Sequence, residues 1–285
     1  MEIPEDKNAV LQHDLEALAA FVERHPRLLV LTGAGISTAS GIPDYRDRHG
    51  VRRGAAPVEG PAFRNLEAVR KRYWARSMLG YPSLSNSAPN DGHRAIAALE
   101  AAGRRMTVLT QNVDGLHQRA GSTGVIELHG NIHGVVCLAC ATHFSRAAIQ
   151  VMLEAANPAM LDIVATPLPD GDARFEPDAL AAFEPPCCPE CRGMLQPDVV
   201  FFGDGVPRER AAAAERALEA ADAVLVVGSS LVVFSGYRFC RMAAAAGKPV
   251  AAINRGITRA DHLLAFKSES AAETILPALA RWIGT

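Results

Sequence analysis

Two CxxC pairs, Cys137 with Cys140 and Cys188 with Cys191, offer four thiolates in the pattern of paired metal knuckles. Such a set suits a tetrahedral zinc with Zn–S bonds of about 2.3 Å. Four protein ligands leave the metal no open position, so the expectation is one structural zinc. Thiol redox chemistry, or core cysteines without metal, are the alternatives. The 47 residues between the pairs exceed the usual ribbon spacing, so an insert must leave and return to the same metal. Cys187 offers a second register with Cys191 as CxxxC, but CPEC at 188–191 matches a knuckle and leaves Cys187 a bystander.

A different chemistry is written in the polar loops. Leu28, Leu29, Val30 and Leu31 run into Gly33, Ala34 and Gly35, as in folds whose backbone amides cradle a pyrophosphate. Thr38 stands where GxGxxG would place its third glycine, and Arg48, His49 and Gly50 stand where a ribose-gripping carboxylate would be. A hydride-transfer dehydrogenase is therefore disfavoured. The next turn, Gly41 to Arg46, brings an aromatic ring, a carboxylate and a cation close together in Tyr45, Asp44 and Arg46. QNVDGLH, 111–117, follows another strand and can bind sugar hydroxyls and a carboxamide, or can be a polar turn in which Asn112 or Asp114 caps a helix. His129 follows Ile126, Glu127 and Leu128 and is a candidate general base working near its ordinary pKa. His117, His133 and His143 lack that placement and read as structural or exposed. Gly228, Ser229 and Ser230 offer small residues and free amides to phosphate oxygens, and Asn254 can take a ribose. Ligand groups at four strand ends suit one extended dinucleotide.

The elements that must position these groups can be read from apolar periodicity. Leu11, Leu15, Leu18 and Val22 recur at helical spacing, with Pro26 closing the helix before the strand at 28–32. Apolar runs at 106–110, 224–227 and 250–253 alternate with helix-like stretches at 208–221 and 237–246. Short buried strands between helices predict an α/β fold, a doubly wound parallel sheet of Rossmann type. The rhythm breaks between about 131 and 196, rich in Pro, Asp and Cys, and returns to a strand-like pattern at 198–202. A second interruption, from Asp47 to about Ser87, is basic and helical over 66–79, with PSLSNSAPN read as a loop behind it. The expected organisation is a discontinuous sheet domain (1–47, 88–130 and 192–285), a zinc-binding module (131–191) and a helical insertion (48–87).

The chain has 285 residues and a formal net charge of −2, which argues against a nucleic-acid surface. Its start lacks an apolar signal core and an arginine-rich amphipathic face, and its most apolar stretch, 220–234, is shorter than the roughly 20 residues a bilayer requires. The expectation is a cytoplasmic protein with no membrane and no nucleic-acid partner, monomeric by default. Lysine is confined to Lys7, Lys71, Lys248 and Lys267 among many arginines and alanines, a bias of GC-rich genomes that says little about chemistry; a bacterial source is the expectation. Cys240, alone on an alanine-rich helix, reads as a small buried hydrophobe.

GAGIS, GIPDYR, QNVDGLH, LHG, the two CxxC pairs, DVVFFGD, VGSS and the asparagine at 254 occur in an order that resembles the sirtuins, the NAD-dependent protein-lysine deacylases. The resemblance covers nearly everything from Leu28 onward. RYWAR (72–76), SGYRF (235–239) and TRAD (258–261) resemble the branch that includes mitochondrial sirtuins with weak or unusual deacylase activity. It implies NAD as a co-substrate and acylated protein lysines as partners, in a cleft between sheet domain and modules. Gly33, Ala34, Gly35, Ser37 and Gly41, with Asp44, Tyr45 and Arg46, would enclose the phosphates and nicotinamide ribose. Gln111, Asn112, Val113 and Asp114 would position ribose and carboxamide, and Gly228, Ser229, Ser230, Asn254, Arg255, Gly256 and Ala272 would contact phosphates and adenosine. The catalytic set would be His129, Asn112 and Asp114, with His129 taking a ribose proton after nicotinamide leaves. Val199, Val200, Phe201, Phe202 and Gly203 would pair with the substrate peptide as an added strand. Tyr73 and Arg76 resemble the YxxR pair that binds acidic acyl tails, which implies a preference for acidic groups, glutaryl-type or branched, or longer acyl groups over acetyl; a solvated helix face is the plainer alternative. Mono-ADP-ribosyl transfer to protein is the alternative activity.

Overall fold

β1 (Arg27–Thr32) is apolar from Leu28 to Leu31 and buried on both faces, which only a central strand of a covered sheet allows. The computed structural model, which describes residues 5–53, 56–168, 172–174 and 180–284, pairs it in parallel with β2 (Arg105–Thr110) on one side and β9 (Ala223–Val227) on the other. β3 (Val125–Glu127) extends the sheet beyond β2, and β10 (Val250–Ile253) and β11 (Leu264–Ser268) extend it beyond β9, giving the order β11-β10-β9-β1-β2-β3. The chain order reverses between β1 and β9. At such a switch point the loops leaving the strands diverge and open a crevice at their carboxyl ends.

One face is covered by α1 (Glu5–Arg24), α4 (Asp91–Ala101) and α9 (Ala272–Ile283), which bury Leu18, Ile96 and Ile275 against Val30, Val108 and Ile253. The other is covered by α7 (Arg208–Ala220) and α8 (Phe234–Ala245), which bury Leu218 and Phe239 against Leu29, Leu31 and Val226. Each buried Leu, Ile or Phe contributes about 1.5–3 kcal/mol. No described helix is long and apolar enough to cross a membrane.

Outside this sheet, β4 (Gly130–Cys137) lies between β5 (His143–Ser145) and β8 (Leu195–Val199) in an antiparallel three-stranded sheet. β6 (Thr166–Leu168) and β7 (Asp172–Arg174) form a separate antiparallel pair. A third core joins α6 (Arg146–Ala156) and the three-stranded sheet to α2 (Gly60–Asn65) and α3 (Glu67–Asn86) through Phe63, Trp74, Met78, Val135, Ile149 and Leu195. The buried Arg146 ties α6 to α3: it donates to the Ser77 carbonyl and to Gln150, and its guanidinium sits 4.4 Å from the Tyr81 ring. A short helix, α5 (Leu116–Arg119), follows β2.

One expectation changes, and other elements are added. The first part of PSLSNSAPN is helical, because α3 continues through Pro82 to Asn86; burial of Tyr81 and Leu84 on either side of the proline outweighs its missing donor. The sheet of the cysteine region takes β8 from beyond residue 191. β11 and α9, which the sequence patterning did not assign, complete one edge and one face.

Candidate active site and metal centre

Loops from the carboxyl ends of β1, β2, β9 and β10 line one cleft of about 1240 Å³, closed on its far side by α3, β7 and residues 199–203. That exceeds the roughly 300–1000 Å³ that holds a drug-sized ligand and suits a dinucleotide together with a side chain. The two glycine loops meet each other there. Gly33 N donates to Val227 O at 3.1 Å and Gly35 N to Gly228 O at 2.8 Å. A Cβ on Gly35 would lie 2.8 Å from Gly228 O, so glycine is required for loop-on-loop contact. The amides expected to cradle phosphate are thus engaged at Gly33 and Gly35, and Gly41 N donates to Thr38 O at 3.1 Å, while Ala34, Ser229 and Ser230 line the cleft.

His129 faces the same space, its Nδ1 2.9 Å from the Gln111 carbonyl oxygen and its Nε2 2.7 Å from Ser235 Oγ. Burial pushes its pKa down, partly offset by the Gln111 hydrogen bond, so the ring is neutral at neutral pH and free to accept a proton. Gln111 itself donates to Ser229 Oγ at 2.7 Å and bridges the two halves of the sheet. Asn112 and Val113 line the cleft, and Asn112 Nδ2 donates to Gly33 O and Ser37 Oγ.

Asp114 and Ser37 are buried, and Gly256 is half-buried beside the cleft-lining Arg255 and Ile257. Asp114 Oδ2 accepts from Ser37 Oγ at 2.7 Å and Oδ1 from Leu116 N at 3.0 Å, so this carboxylate ties the loop after β2 to the loop after β1. Gly256, at φ +89°, packs where a Cβ would strike Arg48 O.

Beneath Asp114 two buried imidazoles lie with ring centroids 4.8 Å apart, His93 and His117. Burial lowers His93 to about 4 and His117 to about 3, although Asp114 opposes the shift at His93. Both are neutral when folded and bind protons near pH 6.5 only when unfolded, so their stabilisation is complete above about 6.5 and is lost as pH falls. Each is expected to cost about 2 kcal/mol of stability by pH 5. Thermal midpoints measured from pH 7 to 5 should fall steeply, and a flat profile would contradict the burial.

The remaining expected contacts are distributed around the cleft. Tyr45 lines it with the Arg52 guanidinium 5.7 Å from its ring, Asp44 pairs with Arg53 at 3.5 Å, and Arg46 donates to Gly50 O. Asn254, Arg255 and Ala272 line the opposite end, Ala272 as the first residue of α9. Val199 to Gly203 form the far wall, with Val200 N donating to His129 O and Gly60 N to Phe202 O, so part of this segment is already paired with the protein itself. Tyr73 is packed against Phe63 and Phe201. Arg76 borders the cleft but is not a free cation: it donates to Asp172 at 2.5 Å and to Ala173 O at 3.0 Å. Asp172 and Ser235 are the two groups that sequence reasoning missed, although Ser235 opens the SGYRF motif.

Cys137, Cys140, Cys188 and Cys191 converge, with all four Sγ atoms within 4.8 Å of one another. The separations of 3.5 Å for Cys137–Cys191 and 3.8 Å for Cys140–Cys188 match the roughly 3.8 Å edge of a ZnS4 tetrahedron with 2.3 Å bonds. The residues present fit a structural zinc, and Cys187 stands outside the set, bridged to Met194. His133, which contacts Tyr81 and Asp114 O, and the exposed His143 are not among these ligands.

An open parallel sheet with a dinucleotide-sized crevice, a cleft-facing imidazole and a closed four-cysteine metal site define a two-module, dinucleotide-dependent enzyme class. The Sir2 family model matches residues 33–235. The chain belongs to this family, the sirtuins. It is 54% identical over 253 residues to an NAD-dependent protein deacetylase of Xanthomonas campestris pv. campestris, covering 89% of this chain and 86% of that one. It is 52% identical over 258 residues to NAD-dependent protein deacetylase 3 of Pseudomonas syringae pv. tomato, covering 90% and 92%. Among solved structures it is similar to a Sir2 complex with p53 peptide and NAD+, with a TM-score of 0.77, 27% identity, and coverage of 95% of this chain and 98% of that one.

Proposed function

We propose that this chain removes acyl groups from lysine side chains of cytoplasmic proteins, consuming NAD and releasing nicotinamide and acyl-ADP-ribose. The observation that carries the reading is His129, neutral and cleft-facing, between the glycine loops and the 199–203 segment. NAD is the substrate whose glycosidic bond is broken. The loops after β1, β2, β9 and β10 hold it, His129 takes a proton from its ribose, and Asn112 orients the loop; Asp114 acts through Ser37. The zinc supplies rigidity to the cysteine module and no chemistry. In this reading residues 48–87 cover the acyl-lysine, and Val199–Gly203 guide the peptide backbone.

The acyl preference turns on Arg76. An acidic acyl tail reaching Arg76 must first displace Asp172, whose carboxylate already meets the guanidinium. Acetyl-lysine requires no such exchange, which favours acetyl over glutaryl in the native protein. Asp172→Asn is expected to raise the glutaryl-to-acetyl ratio of kcat/KM about tenfold, the scale of one charge-assisted hydrogen bond. A panel of acyl-lysine peptides with NAD, read by mass spectrometry, tests both statements. Nicotinamide release that ignores acyl peptide, or fails with every peptide, would overturn the activity; an unchanged ratio in Asp172→Asn would remove Arg76 from acyl selection.

A further inference from the structure

His129 is engaged on both ring nitrogens. The Gln111 carbonyl oxygen can only accept, so the neutral ring carries its proton on Nδ1 and its lone pair on Nε2. Ser235 Oγ lies 2.7 Å from Nε2 and must be the donor. That lone pair is the atom a general base uses. Ser235 sits in the first turn of α8, half-buried and lining the cleft, so its hydroxyl can turn toward the open space without leaving a buried orphan. On the other flank the Gln111 side chain is held by Ser229 and by Thr32 O.

We propose that Ser235 is an internal competitor for the base: its hydroxyl occupies His129 Nε2, and the NAD ribose hydroxyl gains that nitrogen only by displacing it. The inference rests on His129 as the base of the proposed deacylation. The ribose O–H proton passes to Nε2, giving an imidazolium whose Nδ1–H stays on Gln111 O, while Ser235 keeps its own proton throughout. A relay through Ser235 would require the serine for turnover; competition makes the serine a restraint.

The test is Ser235→Ala beside Ser235→Thr, which keeps a hydroxyl. Ser235→Ala is expected to raise kcat/KM for acyl-peptide turnover about two- to tenfold, the scale of one net hydrogen bond, with Ser235→Thr near the parent. An activity-independent arm uses calorimetry with an unreactive NAD analogue that retains its ribose hydroxyls. Ser235→Ala should bind it tighter by a similar factor, and the gain should vanish in a His129→Ala background. Reduced turnover in Ser235→Ala, or unchanged analogue binding, would overturn the proposal. If the parent shows no acyl-dependent turnover, the deacylase reading fails while the calorimetric arm still decides Ser235.

Discussion

His129→Ala is expected to lower acyl-lysine turnover by about 10²–10⁴-fold, the range of a lost general base, while NAD affinity stays within about twofold. The asymmetry follows from the hydrogen bonds around the ring. In the free protein Nε2 already accepts from Ser235, so a ribose hydroxyl arriving there exchanges one bond for another and adds little to binding. Most of the cleft lining proposed to hold the cofactor lies on residues with no bond to His129, among them Ala34, Ser229 and Asn254. The pH profile carries the same signature. Burial holds His129 below its ordinary value, so activity lost on protonation should disappear only at pH values below about 6.5. Turnover by mass spectrometry and binding by calorimetry decide it; NAD affinity falling in step with turnover would make His129 a binding residue instead.

Losing the metal is expected to have the largest effect on stability. Cys188→Ala, or chelation of the parent, should release zinc, lower the thermal midpoint by on the order of 10 °C and reduce turnover below about a tenth, since structural zinc sites supply folding free energy directly. The loss should reach the cleft because Cys137 and Cys188 belong to the same core as Phe63, Trp74 and Met78 of α2 and α3. Arg146 and Gln150 add hydrogen bonds from α6 to Ser77 and Met78 of α3, so the wall that carries Tyr73 and Arg76 leans on the metal module. Cys187→Ala is the control and should keep both metal and midpoint. Metal analysis with scanning calorimetry checks the pair, and a chelated protein that melts unchanged would exclude a structural metal.

The parallel sheet was legible because β1, β9 and β10 are apolar on both faces, a pattern that needs no partner to be recognised. The cysteines were legible because knuckle spacing is local. What escaped depends on contacts distant in the chain. Pro82 argued for a break, yet α3 runs on because Tyr81 and Leu84 are buried among other elements. Asp114 was legible as a polar group of its loop, but not its bond to Ser37, 77 residues away. Arg76 looked like an open cation until Asp172 met it from 96 residues away, and Ser235 reaches His129 across 106. No motif spacing encodes those pairs.

The joined glycine loops divide this protein into halves of unequal mutability. The dinucleotide side is assembled from backbone against backbone at Gly33, Gly35 and Gly228, where any added carbon collides. The side proposed to take the acyl group is lined instead by side chains, among them Tyr73, Arg76 and Asp172. Such a scaffold can exchange one lysine modification for another by single substitutions while its dependence on NAD stays fixed, so laboratory evolution of acyl range should find its gains in the second half alone.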